Sequence, residues 1–498
     1  MVGNNKQILQ WQWLGFAAIA FVVLLVYYPS LMHVSRGDQV MYLGEVANLK
    51  GFKALAVDTY DLNRHRTIAP GDELLFRPIV YFVLGAEKFF FGYHFMGWQL
   101  VGLLLHLMVV WQMLRLLLTI RLGLEALWAT AFFAVLFTNM EMVIWQHINS
   151  YMVFVVCLLF ALRHIYLLCL GKDEKVSTVL CIAAAFLVAC FTYEPANVYA
   201  LMTAVLLWFA VPKLRGYVWL IVLPVILYAL ASWGNVMVNH YTISEGQAIK
   251  HGFHPIKAIK DFAVSFSFWG YSGFFPTQLD MMFAARNMIK DGAQLIKPLN
   301  LSNGIVWAML GVVAISIWAF CRRLVLLTRN QAAFLWLLAG MMVIYTSVIV
   351  LGRISSRGLL NVLRVDLYYS YIYWVLLMPL LYAMIDVSVL RRWQRWVMGL
   401  CIAVVIIANG FLLYQANDKQ MRENNHITIF VNTLDLLIKE RGHEKDFSFY
   451  VADNYPGNYV YPEFRKITDE PGRMYSFAEI LYPQYFTRDN PKYKFLTK

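Results

Sequence analysis

The chain has 498 residues, of which 60% are hydrophobic and 14% charged, against about 25% charged in an ordinary soluble domain. That balance excludes a water-soluble enzyme and sets the class as an all-α polytopic membrane protein. The formal net charge of +12 does not imply a nucleic-acid partner, because membrane proteins collect Lys and Arg on the loops of one side.

The first apolar run is Trp11 to Pro29, preceded only by Lys6 and followed by no small-residue cleavage pattern. It reads as a retained first span rather than a removed signal peptide. The loop from 31 to 95 then concentrates polar residues, beginning LMHVSRGDQV, with Arg36 and Asp38 a short way past the span. Within it, Pro78 to Phe91 is apolar and aromatic but short, and is interrupted by Glu87 and Lys88. Such a segment is expected to lie in the membrane interface, which would hold Asp38 and Arg77 at headgroup level.

Further spans are expected near 96–115, 122–140, 148–168, 177–193, 195–212, 217–238, 304–321, 331–351, 367–386 and 396–414, about eleven in all with the first. With the N-terminus inside, every inner turn is basic: Arg115 and Arg121; Lys172 and Lys175; Lys213 and Arg215; Arg322, Arg323 and Arg329; Arg391, Arg392 and Arg395. The alternate turns at 139–149 and 193–195 contain no Lys or Arg. This asymmetry predicts a cytoplasmic N-terminus and an outward first loop.

Residues 240–303 form a second long outward region of mixed charge. From 415 to 498 the chain is polar. There Ile427, Phe430, Val431, Leu434 and Ile438 recur at helical spacing, and FSFYVA has the composition of a strand. The expected organisation is a transmembrane unit over 1–414, which includes the outer loops 31–95 and 240–303, followed by a small extracytoplasmic α/β domain over 415–498. All six cysteines (Cys157, Cys169, Cys181, Cys190, Cys321 and Cys401) lie in or beside apolar runs. They read as small buried hydrophobes, neither a disulfide frame nor a metal site.

Several residues are candidates for chemistry. Glu141 and Glu194 are each the sole acid in a short outward turn; they are either helix-end residues or groups that orient a sugar or hold a divalent cation. Arg353, Arg357 and Arg364 crowd one short outward loop against the positive-inside bias, and share a face if that loop is helical. Such a face clamps a phosphate through forked, charge-assisted bonds; the alternatives are attraction to anionic headgroups or a pair with Asp366. His33, His65, His94, His147, His251 and His254 are also placed outward, without the fixed spacing to Cys or acid that marks a metal site. His106 lies inside a span and is expected to bond to a neighbouring helix.

The order of an apolar first span, an outward loop with the acid of RGDQ, and then FRPIVYFVLGAEKFFFGYHFMGWQLVGLLLH resembles the membrane-integral GT-C glycosyltransferases. Protein O-mannosyltransferases and the lipid A aminoarabinose transferase belong to that group. The resemblance covers residues 30–106 by motif and extends to about 212 by span arrangement. It departs from the mannosyltransferases at Asp38, which is followed by Gln39 instead of a second acid. The resemblance implies inverting transfer of a sugar from a polyprenyl-phosphate carrier to a lipid, glycan or protein acceptor on the outer face of a bacterial inner membrane. Asp38 would be the catalytic base; Arg36, Arg77, His94, Glu141, Glu194, Arg353, Arg357 and Arg364 would contact substrate. No cofactor is required by this reading beyond a possible divalent cation. The alternatives from other classes are a transporter or flippase of a lipid-linked glycan and a non-catalytic partner in envelope glycan assembly. Against the first, the span centres contain no Asp, Glu, Lys or Arg.

Overall fold

The computed structural model describes residues 2–32, 76–92, 94–238, 255–274, 327–354, 368–385 and 391–423, single positions between 311 and 324 and at 359, 363 and 439–440, and four short strands. In chain order the helices are α1 (Val2–Tyr27), α2 (Pro78–Phe91), α3 (Phe95–Ile120), α4 (Glu125–Ala134), α5 (Met140–Ile144), α6 (Gln146–Asn149), α7 (Tyr151–Cys169), α8 (Val176–Cys190), α9 (Pro195–Ala210), α10 (Trp219–Val238), α11 (Pro255–Ser272), α12 (Arg329–Ile349), α13 (Tyr368–Met384) and α14 (Arg392–Glu423). Strand β1 (Phe447–Val451) pairs in parallel with β4 (Tyr493–Thr497), and β2 (Arg465–Lys466) pairs antiparallel with β3 (Met474–Tyr475). The proposed strand FSFYVA thus falls on β1, and the helical run 427–438 lies outside the described residues.

This is a helical, multi-pass membrane protein. Among the described residues six helical segments are long and apolar enough to cross a bilayer: Trp11–Met32, Phe95–Ile120, Tyr151–Cys169, Pro212–Asn235, Arg329–Gly352 and Arg392–Lys419. A seventh is counted if α4 and the Phe137–Ile144 segment form one span, but these are bent by 51° to each other. The sequence reading of 122–140 as one helix is therefore corrected to a broken one. Helices α8 and α9 are apolar but only 15 and 16 residues long, so at ~1.5 Å per residue each falls short of a ~30 Å hydrocarbon core.

In lipid every backbone polar group must find a partner inside the protein, so a broken helix needs patches. Asn409 of α14 supplies one: its Oδ1 accepts from the Phe137 N–H at 3.0 Å, while its Nδ2 donates to the Gly273 carbonyl at 3.1 Å. Asn139 supplies another, its Nδ2 donating to the Phe133 carbonyl at 2.6 Å near the end of α4. His106 in α3 joins α4 to α13, its ring nitrogens lying 3.0 Å from the Ala134 carbonyl and 2.9 Å from the Tyr371 hydroxyl. Around these ties, α3 packs along α7, α7 on α8, α8 on α10, α9 on α10 and α12, and α12 on α13.

The basic residues gather at one end of this bundle. Lys213 meets Glu174 at 2.7 Å, Asn330 donates to the Cys169 carbonyl, and Arg121 donates to Ile385 and Tyr382 carbonyls. These bonds bring the ends of α3, α7, α9 and α13 together with the starts of α8 and α12. Thr328 opens α12 with a capping box, exchanging side-chain and backbone bonds with Gln331. Exposed tryptophans mark the same end: Trp208 and Trp318 lie under the guanidinium groups of Arg215 and Arg322, and Trp393 and Trp396 begin α14. Such residues suit the boundary between lipid and water. Of the cysteines, Cys169 and Cys190 are buried, but Cys181, Cys321 and Cys401 are exposed. That corrects the expectation of burial, since an apolar side chain on a lipid-facing surface needs no protein cover.

Candidate functional site

The opposite end holds the starts of α2, α7, α9 and α13 and the ends of α8 and α12. Its centre is Arg77, the residue before α2, kept out of the helical region at φ −129° and ψ 61° ahead of Pro78 at the first helical position. The first turn of α2 leaves backbone N–H groups without helical partners. One of them, Ile79 N–H, donates to the Phe191 carbonyl at the end of α8, at 3.3 Å. Helix α2 is thereby set against the turn between α8 and α9, with the Phe76 ring beside that of Phe191.

This docking delivers the guanidinium to Glu194. Arg77 Nε and Nη2 each donate to one Glu194 carboxylate oxygen at 2.6 Å, and Nη1 donates to the Tyr151 hydroxyl. The Tyr151 and Tyr193 rings stack on each other at 5.0 Å, and Arg77 Cζ lies 5.3 Å and 5.2 Å from their centroids. Arg77 is 11% exposed at its side chain and Glu194 30%. Burial by itself lowers the Arg77 pKa, but the Glu194 carboxylate, with Tyr151 behind it, outweighs that and holds the guanidinium charged, above its usual range. Glu194 also occupies the N-cap position of α9, where negative charge is favoured.

A second set of polar contacts, one of them from Tyr345 of α12, lies at the start of α13. The Tyr345 hydroxyl donates to the Tyr369 carbonyl in the first turn of α13, at 3.1 Å. One residue earlier, the Tyr368 N–H donates to Glu141 Oε2 at 3.3 Å. Glu141, buried on α5, thus places a carboxylate at the N-terminus of α13.

Of the residues predicted from sequence, Arg77 and Glu194 are brought together, and Glu141 lies at the start of α13, at the same end of the bundle. His94 is exposed at the N-cap position of α3. The backbone of Arg353 belongs to a single π-helical turn, Val350–Ile354, that continues α12; such turns recur at functional sites. Arg36, Asp38, Arg357 and Arg364 lie outside the described residues. Sequence reasoning missed Tyr151, Tyr193 and Tyr345, although Tyr193 stands beside Glu194 in a turn already singled out. No group of three or more His, Cys, Asp or Glu side chains suited to a metal occurs among the described residues.

Comparison of the chain with protein-family models, with curated proteins and with solved structures returned no match.

Proposed function

We propose that this protein is an inverting membrane glycosyltransferase that moves a sugar from a polyprenyl-phosphate carrier to a lipid, glycan or protein acceptor on the outer face of the membrane. The observation that carries the reading is the Arg77–Glu194 hub. It fixes the Arg-Pro start of a short helix at the same end of the bundle as the α12–α13 connection, which bears Arg353, Arg357 and Arg364. In the proposed reaction Asp38 takes the acceptor's proton as the acceptor oxygen bonds to the sugar's anomeric carbon and that carbon's bond to the phosphate oxygen breaks. The arginines of the α12–α13 connection neutralise the departing phosphate, and a divalent cation held near Glu141 is compatible with that role. The proposal includes eleven spans, a cytoplasmic N-terminus in a bacterial inner membrane, and a small periplasmic α/β domain within 415–498, beyond the end of α14 at Glu423.

The direct test is mass spectrometry of the lipid that copurifies with the full chain. A prenyl phosphosugar is expected, and a water-soluble solute in its place would overturn the reading in favour of transport.

A further inference from the structure

A second polar cluster lies where α2, α3 and the turn from Ile144 to Ser150 meet. Glu87, in the second half of α2, is 2% exposed, and its Oε1 accepts from Asn149 Nδ2 at 3.2 Å. Gln99 of α3, also 2% exposed, donates through Nε2 to the Ile144 carbonyl at 3.1 Å. Three residues further along the same face of α3 is Gly102, where a Cβ would come within 2.5 Å of the Val143 carbonyl and 3.2 Å of Asn149 Nδ2. Only glycine lets the helix backbone approach this turn so closely.

The bonds that are made leave oxygens over. Glu87 Oε2, Gln99 Oε1, Asn149 Oδ1 and Ser150 Oγ are all buried without a hydrogen-bond partner among the described residues. Buried polar atoms are normally satisfied, and each exception asks for a cause. Burial pushes the Glu87 carboxyl well above the usual carboxylate range, although the Asn149 amide opposes this, so a bare carboxylate here is costly. A proton on Oε2 satisfies that atom and one acceptor at most. A hard cation satisfies several oxygens together.

We propose that Glu87, Gln99, Asn149 and Ser150 form a binding site for a small monovalent hard cation of the Na+ type. The set is all oxygen, as such ions require, and Glu87 is its only charged member. One carboxylate neutralises a monovalent ion, whereas a divalent ion would leave a net positive charge in an apolar surround. The ion would cross-link α2 to α3 and to the turn preceding α7, and so brace the helix that positions Arg77. Ser150 directly precedes Tyr151, which binds Arg77, so the ion would steady that hub without itself taking part in the transfer chemistry.

The test uses the purified full chain with NaCl replaced by choline chloride at constant ionic strength. The thermal midpoint should rise by a few degrees with added Na+ and then saturate, and Glu87→Gln, which keeps the shape and removes the charge, should abolish the response. Equal midpoints in choline and Na+, or an undiminished Na+ response in Glu87→Gln, would overturn the site. Radioactive Na+ binding to the wild-type chain needs no variant: retention that unlabelled Na+ displaces and choline does not is expected, and no retention refutes the proposal.

Discussion

Arg77 shows how one side chain can be both buried and charged. Its fork matches the two oxygens of Glu194, and two tyrosine rings lie against the guanidinium. Removing one partner of such a pair leaves the other charge poorly solvated, a loss of about 3–5 kcal/mol when fully buried. Because Glu194 is 30% exposed, we expect roughly 2–3 kcal/mol for Arg77→Met or Glu194→Met, read as a lower denaturation midpoint. The double variant should recover part of that loss, and strict additivity of the two singles would argue against a coupled pair. Asp38→Asn tests a different property. On the proposed transferase reading, the amide keeps shape but accepts no proton, so sugar transfer should fall by about a hundredfold to ten thousandfold while the copurifying lipid is retained. Transfer within a few-fold of wild type would remove Asp38 as base.

The helices themselves divide into those legible from sequence and those that are not. Long apolar runs such as Phe95–Ile120 and Arg329–Gly352 announce their presence directly, although the first continues five residues past the expected end at 115, and the Arg-Pro pair marks the start of α2 without any tertiary knowledge. The break after α4 is different, because Val135, Leu136 and Phe137 continue the apolar run unbroken. What permits the bend is Asn409, 272 residues away from Phe137, and no local pattern reveals a partner that distant. Asn409→Leu keeps the volume but abandons the Phe137 N–H and the Gly273 carbonyl. At about 1–3 kcal/mol for each buried group left unpaired, we expect a destabilisation of roughly 2–5 kcal/mol in thermal unfolding. A loss below about 0.5 kcal/mol, the range of an ordinary surface change, would show that the bend does not depend on this patch. The stack of Tyr151 and Tyr193 was illegible for a related reason: each is an ordinary aromatic until Arg77 is placed between them and Glu194.

For the whole molecule, the readable features were composition and the alternation of basic and uncharged turns. The structure gathers the basic turns at one end of the bundle through pairs such as Lys213 with Glu174 and Arg121 with Tyr382. Which side of the membrane that end faces is the remaining part of the proposal. A reporter active only in the cytoplasm and fused after Lys498 should stay silent; a strong signal would reverse the orientation. The Arg77–Glu194 pair also has a consequence in time. Its partners are 117 residues apart in the chain, so at a synthesis rate of roughly 5–20 residues per second, Arg77 waits roughly 6–23 seconds for its counterion. Tyr151 emerges first and accepts one of its bonds, but Ile79 has no Phe191 carbonyl and the guanidinium no carboxylate until the turn after α8 has been made. A chain that ends before Phe191 therefore has a short helix with no Phe191 carbonyl to dock against and an Arg77 without its carboxylate.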